Sequence, residues 1–218
     1  MGSYPKATFI GCRQYRYKQL FMDYQEAIYT QFAQSFESQQ YALETLPAHI
    51  EHAAKVLFNS IANGGKVVAV GNGTGSYISQ YFSTLLLDRM DRERPGLPAV
   101  SLTSNGNALL AITHNDSYHD VFSKQITAIG NPGDVLFVVA NKGNTSPIIQ
   151  AIQAAHERKM SIVALTTPDA KNVSALTSQD DTEIKINLTG TSRVQECQTT
   201  VVHTLVDLLE RQLFGYED

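Results

Sequence analysis

Cysteine is scarce in this chain. Cys12 and Cys197 stand alone, too few for a metal cluster or a disulfide framework. A reducing, cytoplasmic setting is the expectation. Long apolar runs are missing as well, so no membrane-spanning helix is expected, and the first residues lack the apolar stretch of a secretory signal. Positive charge is in deficit. Seventeen Lys and Arg face 21 Asp and Glu, for a net charge of −4, so no direct nucleic-acid binding is expected. Residues 1–22 run against that balance, with Lys6, Arg13, Arg16 and Lys18 and no acid. They read as a basic, poorly ordered extension.

What is present is an alternation of short apolar runs and amphipathic segments. Residues 66–76 organise it: the β-branched run Val67-Val68-Ala69-Val70, then Gly71-Asn72-Gly73-Thr74-Gly75-Ser76. The run suits a strand covered on both faces. Gly71 and Gly73 suit positive φ, Gly75 suits close approach of a ligand, and Thr74 or Ser76 suits the cap of a following helix. Free N–H groups at such a helix start attract phosphate. The turn lacks the Lys of a P-loop and the spacing of a dinucleotide fingerprint.

Upstream, residues 24–44 carry an apolar stripe of Ala27, Ile28, Phe32, Phe36 and Leu43, and Pro47 opens a second helix to about residue 61. Two helices before the first strand exceed what one sheet face needs, which points to oligomerisation. Downstream, further strands are predicted near residues 98–102, 134–139, 161–165 and 182–186, with helices between them. Ser192 and Gln195 form a capping-box pattern at the start of the last helix. This pattern predicts an α/β fold with a five-stranded parallel sheet in flavodoxin-like order. Ligands bind at the carboxyl ends of such strands, where residues 71–76 and 140–146 both fall. That convergence points to a phosphate or sugar-phosphate site.

The landmarks Gly71-Asn72-Gly73-Thr74, Glu93-Arg94-Pro95-Gly96-Leu97-Pro98-Ala99, Asn115-Asp116, Gly133-Asp134-Val135-Leu136, Lys142-Gly143-Asn144-Thr145, Val163-Ala164-Leu165-Thr166 and Arg193-Val194-Gln195-Glu196 together resemble the SIS (sugar isomerase) domain. The resemblance lies in the phosphoheptose isomerase branch, which holds GmhA and its non-catalytic relative DiaA, a partner of the replication initiator DnaA. It implies an αβα sandwich and a homotetramer, with residues 23–63 as an oligomerising helical pair and 64–218 as the SIS domain. In such isomerases, sedoheptulose 7-phosphate places its phosphate on the loop after the third strand. A Glu and a His act as acid and base, and with a second His and a Gln they bind a metal in many members.

Carried onto this chain, the resemblance assigns phosphate or sugar binding to Asn72, Gly73, Thr74, Asn141, Lys142, Gly143, Asn144, Thr145 and Gln195. His203 takes the place of the catalytic His. The Glu position is Leu85 and the other metal-binding His is Tyr81. The loop Ala140-Asn141-Lys142-Gly143-Asn144-Thr145 replaces Ser-Thr-Ser-Gly-Asn-Ser, and Gly75 stands where a serine closes the first turn. A general acid or base contributes about 10² to 10⁴-fold, and zinc sites want three or four protein ligands. These departures favour a protein without metal or cofactor. The expected function is a non-catalytic, DiaA-like tetrameric scaffold that binds DnaA, promotes its assembly at the origin and keeps a vestigial cleft. Leu213 and Phe214 would be its exposed contact. The alternatives are a sedoheptulose 7-phosphate isomerase and a sugar-phosphate sensor.

Overall fold

The computed structural model describes residues 23–142 and 146–215. The basic N-terminal extension and three phosphate-loop positions, Gly143, Asn144 and Thr145, lie outside the described residues. Five strands, β1 (Val67–Gly71), β2 (Ala99–Ser101), β3 (Val135–Ala140), β4 (Ser161–Thr166) and β5 (Thr182–Lys185), form one sheet in the order β2-β1-β3-β4-β5. Every pairing is parallel, which is the predicted flavodoxin-like order.

Each strand feeds two cores because successive side chains point to opposite faces. Val67, Ala69, Val135, Phe137 and Val139 face one side, where they meet α2 (Pro47–Ala62), α3 (Thr74–Leu87) and α8 (Thr191–Phe214). Val68, Val70, Leu136, Val138 and Ile162 face the other, with α5 (Ser123–Ile129), α6 (Ser146–Glu157) and α7 (Lys171–Ser174). The result is an αβα sandwich. The helix α4 (Gly106–Asn115) follows β2, with Asn105 capping it through a bond from the Ala108 N–H.

The first helix, α1 (Tyr24–Thr45), departs from the usual rule that an apolar stripe packs inward. Ser38 and Ala42 are its buried residues. Ile28, Phe32, Phe36 and Leu43 of the predicted stripe are exposed, Phe32 by 74%. The stripe therefore has no cover among the described residues.

Three local expectations are corrected. Thr74 and Ser76 do not cap α3. Gly73 does, at φ 56°, with Thr74 already inside the helix and the Ser76 hydroxyl donating back to the Gly73 carbonyl. The capping box at Ser192 is replaced in the same way by Gly190 at φ 86°. A glycine cap supplies the left-handed backbone that a serine cap cannot. Gly71 and Gly75 serve packing, not positive φ or ligand approach. A Cβ on Gly71 would sit 2.4 Å from the Gly75 carbonyl oxygen, and one on Gly75 would sit 2.6 Å from that of Val139.

The charged loop after α3 contains a fully buried arginine. Arg94 Nε donates to Glu210 Oε1 at 2.7 Å, and neither side chain has any exposed surface. Its two terminal nitrogens donate to the carbonyls of Leu85, Leu86, Asp88 and Pro95. Arg94 thus closes the carboxyl end of α3, where carbonyls lack partners, and ties it to α8. Removing one member of a buried ion pair costs about 3–5 kcal/mol, and Glu210 would keep only the more distant Arg92 Nη1, 3.7 Å from its Oε2. Arg94→Ala is expected to lower unfolding stability by that amount in a urea titration, while the exposed Arg89→Ala changes it little.

Candidate functional site

The carboxyl ends of β1, β3 and β4 open into two adjoining cavities. One, of about 340 Å³, is lined by Asn72, Gly73, Thr74, Val139, Ala140, Asn141, Lys142, Ile148 and Thr191. The second, of about 390 Å³, shares Thr74, Asn141, Lys142 and Thr191 and extends to Thr167, Asp169 and Asn187. Five of the predicted binding residues, Asn72, Gly73, Thr74, Asn141 and Lys142, are therefore gathered at one place. The positive dipole end of α3 lies at that corner, while the N–H groups of Gly75 and Ser76 in its first turn bond back to the carbonyls of Asn72 and Gly73. The exposed Lys142 adds a cation there.

Asn141 joins the elements around the cleft. Its Nδ2 donates to Thr74 Oγ1 at 3.2 Å, its Oδ1 accepts from Gln198 Nε2 at 2.6 Å, and its carbonyl accepts from Thr167 Oγ1 at 2.9 Å. The side chain thereby links the start of α3 to the body of α8, and the backbone carbonyl adds the loop after β4. Gln195 is half-buried on α8 and lines neither cavity. The residue one turn further on, Gln198, makes the connection to the cleft.

His203 does not stand alone. The Tyr81 hydroxyl and His203 Nε2 are hydrogen-bonded at 2.9 Å, with the rings edge to face at a centroid distance of 5.7 Å. Tyr77 stacks on Tyr81 with ring planes 2° apart. Both partners of the pair are half-buried. Thr74 and Tyr81 are seven residues apart on α3, hence on one helix face and about 10 Å apart along it. Tyr81 thus stands on the face of α3 that carries Thr74, although neither Tyr81 nor His203 lines either cavity.

Leu85 lies one further turn along, 8% exposed and part of the core. Its side chain has no group that could move a proton. A metal site of the isomerase type does not fit these residues. Leu85 has no ligand atom, Tyr81 stands where the resemblance places a second imidazole, and the described residues hold no cluster of three or more His, Cys, Asp or Glu.

Leu213 and Phe214 are not the exposed contact expected of them. Both are half-buried against the core at the end of α8, because α8 runs its apolar face onto α2 and α3 to its last turn. Sequence reasoning missed Gln198 and the role of Tyr81. A signal for Gln198 existed. It lies between Cys197 and Val201 on the apolar side of a helix, and a polar residue there needs a bonding partner.

A five-stranded parallel αβα sandwich with a polar cleft at its strand ends places the chain in the doubly wound α/β class. The SIS domain family matches residues 30–167. A phosphoheptose isomerase from Chromohalobacter salexigens is 45% identical over 194 residues, which is 89% of this chain and 98% of that protein. One from Shewanella loihica is 39% identical over 88% of this chain and 98% of its own length. Among solved structures, a phosphoheptose isomerase from Francisella tularensis superposes with a TM-score of 0.82 at 31% identity, covering 87% of this chain and all of that one. GmhA from Neisseria gonorrhoeae does so with a TM-score of 0.79 at 33% identity, over 85% and 98% of the two chains. The chain belongs to the phosphoheptose isomerase family of SIS-domain proteins.

These relatives correct the expectation of a non-catalytic scaffold for DnaA. Proteins 39 and 45% identical along most of the chain carry the name of the enzyme, and the lean away from catalysis falls with the scaffold reading. The described residues also include no helix long and apolar enough to cross a membrane.

Cys197 takes no part in the site. It is a free, fully buried thiol on the inner face of α8, and burial pushes its pKa up to about 11. The thiolate is the reactive form. Iodoacetamide at pH 8 is expected to leave Cys197 unlabelled in the native protein and to label it fully in guanidinium, as read by peptide mass spectrometry.

Proposed function

We propose that this protein is an aldose–ketose isomerase of seven-carbon sugar phosphates, with sedoheptulose 7-phosphate as its substrate. The observation that carries the proposal is the Tyr81–His203 pair, 2.9 Å apart, aligned along α3 with the anion corner. Phosphate would sit against the first turn of α3, Asn141 and Lys142. The separation of about 10 Å along the helix favours a long sugar chain over a triose phosphate.

The chemistry needs a base for carbon and a proton carrier for oxygen. His203 takes a proton from C1 of the ketose, and the electron pair forms the C1–C2 double bond of an enediol. Tyr81 gives its hydroxyl proton to O2 and then takes the proton from O1. The imidazolium returns its proton to C2 as the C1 aldehyde forms. One imidazole thus serves both carbon steps, and the missing Glu at Leu85 leaves no step without a group. Each member of the pair contributes about 10² to 10⁴-fold. Turnover of sedoheptulose 7-phosphate by the full chain is expected, with kcat falling by that factor in His203→Ala and in Tyr81→Phe. Turnover that survives both substitutions would overturn the assignment.

Leu85 favours a second reading. An apolar core residue where the family resemblance places an acid–base Glu fits a protein that binds the sugar phosphate without converting it. Calorimetric binding of sedoheptulose 7-phosphate with no product formed over hours would select that reading.

The homotetramer belongs to the same proposal. Tyr24, Ile28, Phe32 and Phe36 present a row of exposed apolar side chains along α1, which suits burial against another copy. Light scattering is expected to give a tetramer for the parent and smaller species for Phe32→Ser/Phe36→Ser.

A further inference from the structure

Gln198 is wholly buried, yet it is linked to the cleft through hydrogen bonds. Its Nε2 donates to Asn141 Oδ1 at 2.6 Å, and Asn141 Nδ2 donates to Thr74 Oγ1 at 3.2 Å. The far end of this chain lines the cavities and its near end does not. Gln198 Oε1 has no hydrogen-bond partner among the described residues. Reversing both amides would instead strand both N–H groups of Gln198, where the observed direction uses one of them. A buried N–H without a partner is rarer than a carbonyl in the same state, so the observed direction is the favoured one.

Direction matters because a carboxamide has one donor end and one acceptor end, whereas a threonine hydroxyl has a single proton. A donor from Gln198 fixes Asn141 with its oxygen inward and its NH₂ toward Thr74. Thr74 Oγ1 then accepts, and its own proton stays free for a ligand in the cleft. Phosphate oxygens accept hydrogen bonds and do not donate them when ionised, so the hydroxyl faces the ligand with the polarity that phosphate requires.

We propose that Gln198 is a positioning residue of the anion site, which sets the Thr74 hydroxyl as a donor through Asn141. This inference rests on the phosphate-binding part of the proposed function and not on catalysis.

Inorganic phosphate, titrated calorimetrically into the full chain, is the test. Gln198→Met keeps the side-chain length and removes the donor. It is expected to weaken phosphate binding about tenfold, as Thr74→Val does, a loss of the size one charge-assisted hydrogen bond contributes. The double variant is expected to bind no more weakly than Thr74→Val alone, because both substitutions remove the same bond. Losses that multiply, or unchanged affinity in Gln198→Met, would overturn the proposal. A purely structural role would lower the unfolding temperature and leave the Kd unmoved. Failure of the parent to bind phosphate would overturn the anion site itself. Gln198→Glu supplies a second measure if Gln198→Met does not fold. Protonated, its carboxyl still donates to Asn141; ionised, it cannot. The ratio of parent to variant affinity is expected to rise as pH rises, and a ratio that stays at one would count against the relay.

Discussion

The approach of one helix to one strand governs this molecule. The start of α3 lies so close to the sheet that glycine alone fits at its two contact points, Gly71 and Gly75. Val139 of β3 touches one of them, and the turn between closes through a left-handed Gly73. Any side chain at the contacts would lift the helix off β3. The cleft would then lose the turn that shapes it, and Tyr81 would move away from α8. The cleft and the Tyr81–His203 pair therefore depend on the same backbone contact, although they stand two helical turns apart.

The fold was legible in the sequence because its signals are local. Val67 to Val70 and Val135 to Val139 read as buried parallel strands on composition alone, and the turns between strands and helices are marked by glycine and proline. Strand order followed from the alternation and the short connections. The cleft was legible for a related reason: Asn72, Thr74, Asn141 and Lys142 follow strand ends directly, so chain position sets spatial position.

The rest was not legible, because it depends on pairs far apart in the chain. Tyr81 and His203 are separated by 122 residues, and nothing local says that a phenol will meet an imidazole. Tyr81 read singly is a lost metal ligand; read with His203 it is half of a hydrogen-bonded pair, the one to which the proposed function gives the proton steps. The same holds for Arg94, which looks like one charge among several in a loop until Glu210 is brought beneath it. The exposed stripe of α1 was visible as a stripe, but periodicity does not tell whether its cover comes from the same subunit or another.

Arg94 has a mechanical consequence. It fastens the carboxyl end of α3 to α8 through a dry ion pair and four carbonyls, and these are the two helices that carry Tyr81 and His203. A pair of rods pinned at one end opens only at the other. Room for a ligand between α3 and α8 must therefore come from the Thr74 and Thr191 ends, where both helices start on glycine caps. On the proposed function, a sugar phosphate would enter and leave at the mouth between those ends, with its charged end the last to enter and the first to leave.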